Sequence, residues 1–129
     1  MAVKKQLHFY KKAITIPVHG GTFLIIFSND REKVIKIVNC KEPIIELYAF
    51  TFHNFIHKGK ETFCVCFNFW EDNKITLGTI MHEVTHAANR LLQSRGFDPD
   101  WTNDEAEAYI KGWMGDEIEA FMVGCKIMK

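Results

Sequence analysis

Two histidines four residues apart with a glutamate beside the first, His82-Glu83-Val84-Thr85-His86, are the side chains of this sequence best suited to chemistry. They lie in the stretch 79–90, whose apolar spacing predicts an α-helix. At 3.6 residues per turn, positions four apart stand about 40° apart around the axis and roughly 6 Å along it, so both imidazoles can aim at one point. That point suits Zn²⁺, which imidazole nitrogen binds well and which brings the pKa of a bound water toward neutrality. Glu83 is close enough to handle such a water and too near in sequence to be a comfortable third ligand. The same residues have a plainer reading. Leu77, Ile80, Met81, Val84, Ala88, Leu91 and Leu92 form one apolar face, and His82, His86, Asn89 and Gln93 form a polar stripe opposite, as on any half-solvated helix. The metal reading is preferred because all three specified positions are filled and the core face points away from the histidines.

A catalytic zinc usually takes three protein ligands and keeps a position for water. No histidine follows His86, so a downstream ligand must be a carboxylate or Cys125. Asp104, Glu105 and Glu107 cluster at the start of the last expected helix. Glu107 has Lys111 at i+4, an ordinary helix-supporting pair. Asp104 falls in the first turn, where the helix dipole favours a carboxylate. Glu105 shares a side with Tyr109, Gly112 and Trp113 at the border of the apolar face, which predicts that it points into the protein. Thr102-x-x-Glu105 also fits a capping box, so Glu105 has a structural alternative, and Asp104 or Glu107 stay open as third ligand.

The elements that must position these residues are legible in outline. Residues 7–18 read as a strand, with Gly20-Gly21 turning the chain into a second strand at 22–27. Asn29 or Asp30 can cap a short helix through about Val38, although Val34-Ile35-Lys36-Ile37-Val38 suits a strand as well. After a loop at 40–43, residues 44–53 read as a strand and Lys58-Gly59-Lys60 as a turn. Residues 61–70 form the next strand, with Phe63, Val65, Phe67 and Phe69 on one face and Thr62, Cys64, Cys66, Asn68 and Trp70 on the other. Apolar residues on both sides predict that both faces are covered. His53 and His57 are also four apart, but at a strand end and turn, where that spacing does not converge. A polar turn at 71–74 leads to Thr76 as N-cap of the motif helix, which runs to about Ser94 and stops at Gly96. A loop at 98–100 precedes a last helix from Thr102 or Asn103 to about Gly124, with Ala106, Ile110, Trp113, Met114, Phe121 and Met122 available to the core.

At 129 residues the chain reads as one domain, 1–129, able to build a core without disulfide staples. Sixteen basic and sixteen acidic side chains cancel, which argues against nucleic acid or a membrane surface as partner. The basic N-terminus lacks the apolar core of a signal peptide, and no apolar run approaches a membrane span, so the expectation is a soluble cytoplasmic protein. Cys40, Cys64, Cys66 and Cys125 show no C-x-x-C spacing and read as reduced thiols, with thiolate ligation as the alternative for the strand pair.

His82-Glu83-x-x-His86 followed by Glu105 within Asn103-Asp104-Glu105-Ala106-x-Ala108-Tyr109 resembles the glutamate-type zincin metallopeptidases. In particular it is similar to small metallopeptidases encoded in bacteriophage and prophage genomes, over roughly residues 62–119. It departs from the metzincin pattern, having Asn89 and Leu92 where glycine and histidine stand there. The resemblance implies an α+β, zincin-like fold: a small, mainly antiparallel sheet packed on the motif helix and a C-terminal helix. It implies His82, His86 and Glu105 as zinc ligands and Glu83 as general base in hydrolysis of a peptide bond through a zinc-bound water. A peptide or protein is then the substrate, and a phage-encoded member acts in the host cytoplasm. Tyr109 can hydrogen-bond a developing oxyanion or simply pack, Asp116 and Glu119 can orient the histidines or face solvent, and strand 61–70 can align an extended peptide at a sheet edge. The alternatives are a zinc-binding interaction protein without proteolysis and a metal-free interaction domain with an accidental histidine stripe.

Overall fold

The computed structural model describes residues 7–38, 49–68, 75–97 and 104–125. The runs rich in β-branched and aromatic residues form β1 (Phe9–Thr15), β2 (Thr22–Ser28), β3 (Ala49–His57) and β4 (Lys60–Asn68). Helix α1 (Arg31–Val38) follows β2, and α2 (Leu77–Ser94) and α3 (Asp104–Gly124) follow β4. The strands make one sheet in the order β1-β2-β4-β3. β1 pairs antiparallel with β2, and β3 with β4, while β2 and β4 run parallel from Thr22 opposite Thr62 to Ser28 opposite Asn68. The class is therefore α+β, with a mixed sheet in which antiparallel pairings outnumber the parallel one.

Local chemistry explains the turns. The β1–β2 connection is closed by the Ile16 N–H donating to the Gly21 carbonyl at 2.9 Å, and Gly20 and Gly21 take φ of 75° and 85°. Lys58 and Gly59, with φ of 52° and 76°, are the paired left-handed residues of a type I′ turn, whose twist matches that of the strands it joins. Asp30 caps α1, its Oδ1 accepting from the Lys33 N–H at 3.2 Å, and this settles the ambiguous 34–38 run as helix.

The third expected strand continues past His53: β3 is described from Ala49 to His57, so His53 and His57 both belong to it. At about 3.3 Å per residue their backbones stand roughly 13 Å apart, too far for one small site. The expected loops at 40–43, 71–74 and 98–100, strand residues 44–48, Phe69 and Trp70, and the start of the last helix at Thr102 or Asn103 lie outside the described residues.

β2 and β4 carry apolar side chains on both faces, as strands at the centre of a covered sheet must. Phe23, Ile25, Phe27, Phe63, Val65 and Phe67 pack with α2 and α3, and the Phe27 and Phe67 rings stack at 5.1 Å. Leu24, Ile26, Cys64 and Cys66 point the other way and are covered by Val34 of α1. The cysteine pair on one face of its strand is thus part of the smaller core, packed beside Leu24 and Ile26. Among the described residues no helix is long and apolar enough to cross a membrane.

Candidate metal centre

Helix α2 is fixed at both ends by contacts its sequence supplies. Thr76 is extended at φ −96° and ψ 159°, and its Oγ1 accepts from the Thr79 N–H at 3.1 Å. At the other end Gly96 takes φ 83°, and the Phe97 N–H donates back to the Leu92 carbonyl at 2.9 Å. Arg95 then ties this end to the sheet. Its guanidinium donates to the His19 carbonyl at 2.9 Å and to Glu61 Oε1 at 2.7 Å, and it lies over the Phe63 ring.

Between these ends Ile80, Val84, Ala87, Ala88, Leu91 and Leu92 face the core. Leu77 and Met81, expected in the apolar face, are exposed, so the buried arc is turned toward Ala87 and Glu83. Glu83 is only 5% exposed and is the one charged residue among the buried described residues. A carboxylate in that position needs a hydrogen-bond donor, and Thr51 of β3 supplies it: Thr51 Oγ1 donates to Glu83 Oε1 at 2.6 Å. The other oxygen, Oε2, lies 3.8 Å from His82 Nε2. The negative charge is felt across the sheet, where burial above all, then Cys64 and Glu83, push the Cys66 thiol up.

His82 and His86 emerge on the solvent side, the His82 side chain 67% exposed. Their Nε2 atoms stand 3.1 Å apart with the rings at 78°. Two nitrogens each 2.0–2.1 Å from a tetrahedral zinc are about 3.3 Å apart, so the pair fits two corners of such a site. The same distance fits an N–H···N hydrogen bond in which one ring donates to the other. The helix thus brings together His82, His86 and Glu83 as the i, i+1, i+4 spacing requires.

The third position is different. Glu105 is exposed on the first turn of α3 rather than pointing inward, because the buried stripe of that helix runs through Ile110, Met114, Ile118 and Met122. Glu105 falls nearly opposite that stripe on the helical wheel, whereas Trp113 lies at its edge. Asp104 is exposed too, and Glu107 is bonded to Lys111 Nζ at 2.5 Å, as its spacing anticipates. Among the described residues no three His, Cys, Asp or Glu side chains are gathered closely enough to hold a metal ion. Tyr109, Asp116 and Glu119 are exposed.

β4 cannot align a peptide in the way expected for strand 61–70, since β2 and β3 occupy both its edges. The edge strand that packs against α2 is β3, and it carries Thr51. Thr51 and Arg95 escaped sequence reasoning. The first showed itself only as a polar residue between Phe50 and Phe52, and the second only as a cation at a helix end. No protein-family model matches the chain, and no curated protein or solved structure matches it either.

Proposed function

We propose that this protein is a zinc-dependent peptidase of zincin-like architecture, acting on a peptide or protein in the cytoplasm, the host's if the chain is phage-encoded. The observation that carries the reading is the meeting of three side chains on α2: two imidazole Nε2 atoms 3.1 Å apart, with a carboxylate oxygen 3.8 Å from one of them. His82 and His86 would hold the ion through Nε2, and Glu105 would be the third donor on the strength of the sequence resemblance over residues 103–109 alone, since among the described residues no third donor is gathered with the two rings. A zinc ion held there would supply Lewis acidity. Glu83 is the general base: Oε2, on the histidine side, takes a proton from the attacking water and returns it to the leaving amine nitrogen. Burial on a packed helix keeps that carboxylate in place between the two transfers. An extended peptide is aligned along β3, the edge strand beside α2 among the described residues, adding a strand through main-chain hydrogen bonds.

The test is Glu83→Gln in untagged protein, with zinc content and cleavage of an unstructured peptide pool followed together. The variant is expected to keep its zinc and to lose at least about a hundredfold in cleavage rate. Cleavage by the variant at the wild-type rate overturns the mechanism. Zinc uptake by a wild-type protein that cleaves nothing replaces it with the non-proteolytic zinc-binding reading.

A further inference from the structure

Glu83 presents its two carboxylate oxygens to different parts of the molecule. Oε1 faces the sheet and accepts from Thr51 Oγ1 at 2.6 Å; Oε2 faces the histidines and lies 3.8 Å from His82 Nε2. Thr51 Oγ1 is also 3.4 Å from the Glu83 main-chain carbonyl, so the hydroxyl sits against both ends of this residue. Thr51 is held in turn by its backbone, opposite Val65 in the β3–β4 ladder, on the face of the sheet that α2 covers. β-branching at Thr51 restricts χ1, which leaves the hydroxyl few other directions.

We infer that Thr51 is a positioning residue for the reaction, fixing the rotamer of Glu83 so that one carboxylate oxygen is anchored and the other is left free beside the histidine pair. This rests on the peptidase reading above and adds to it a role for a residue outside the motif helix. The anchor sits on the edge strand that the same reading assigns to the peptide. Seating a substrate and aiming the base therefore involve one strand. Because the Thr51 hydroxyl is spent on the base, its loss acts on the chemical step rather than on substrate affinity.

The test compares Thr51→Val, which keeps the shape and removes the hydroxyl, with Thr51→Ser, which keeps the hydroxyl. Thr51→Val is expected to lose about ten- to a hundredfold in kcat with KM within about threefold of wild type. Thr51→Ser is expected to restore kcat to within about threefold of wild type, an outcome that a purely space-filling role for the methyl does not give. Wild-type kcat in Thr51→Val, or a Thr51→Ser variant as slow as the valine one, overturns the inference. Crystal structures of the two variants test it independently of turnover. The Glu83 carboxylate is expected to keep its place in the serine variant and to turn away from His82 in the valine variant, and a carboxylate unmoved in both overturns the positioning role. A wild-type protein without peptidase activity removes the reading of function, while the crystallographic comparison still decides whether Thr51 positions Glu83.

Discussion

A carboxylate is retained in the interior only where something nearby satisfies it, and for Glu83 the Thr51 hydroxyl does so. Its neighbours on the helix divide by burial: His82 and His86 meet solvent, Val84 and Ala87 meet the core, and Glu83 lies at the seam between them. That placement is why the residue can be both fixed and within reach of the histidine pair. The thiols on the far side of the sheet show the opposite use of burial. Cys64 and Cys66 are wholly enclosed, and burial raises both thiols far above the ordinary value of 9.0, with Cys64 and Glu83 adding to the effect at Cys66. A group whose folded pKa is raised binds more protons folded than unfolded once the pH passes the unfolded value. These two thiols therefore leave stability unchanged below about pH 8 and subtract from it as the pH rises through about 9. In a protein carrying Cys40→Ser and Cys125→Ser, the native state is expected to release no chromophore from a thiol-specific disulfide reagent at pH 8. Unfolding in guanidinium should expose both thiols at once, and rapid reaction of the native state contradicts this account.

At the scale of elements, α2 carries the histidine pair and Glu83, and its ends hold them in place. Its first turn holds no acidic residue, so charge–dipole support is missing at the N-terminus and capping there falls to Thr76. Thr76→Ala is expected to cost about 1 kcal/mol, read as a lower urea midpoint at unchanged slope, and an unchanged midpoint contradicts the capping role. The limits of this helix, with Thr76 before it and Gly96 after it, were legible because caps are local chemistry written in adjacent residues. α1 was legible for the same reason once Asp30 is taken as its cap. The core side of α3 was legible through Ile110, Met114 and Met122, but the facing of Glu105 was not. Trp113 packs on Phe23 as its type suggests, whereas Tyr109 is exposed, and the fully buried stripe of Ile110, Met114, Ile118 and Met122 turns Glu105 to solvent. The rotation of a helix about its own axis is set by what it packs on, here Phe23, Phe27 and the α2 face, and that information is not local.

At the scale of the whole molecule, two hairpins are joined side by side through the parallel β2–β4 pairing, with α1 on one face and α2 and α3 on the other. The two-sided apolar runs of β2 and β4 announce a sheet covered on both faces. Strand order is a long-range choice, so alternation alone could not place β4 inside and β3 at the edge beside α2. That order also explains why Thr51 went unseen, since its partner lies 32 positions away in another element. The account stands or falls on an ion shared by His82 and His86, and anomalous diffraction at the zinc edge from crystals grown with zinc tests it most directly. The account predicts one zinc peak about 2.0–2.1 Å from both Nε2 atoms, with a carboxylate oxygen of Glu105 as third protein ligand and a fourth position left open. No peak between the two rings, or a zinc closed off by four protein ligands, contradicts it.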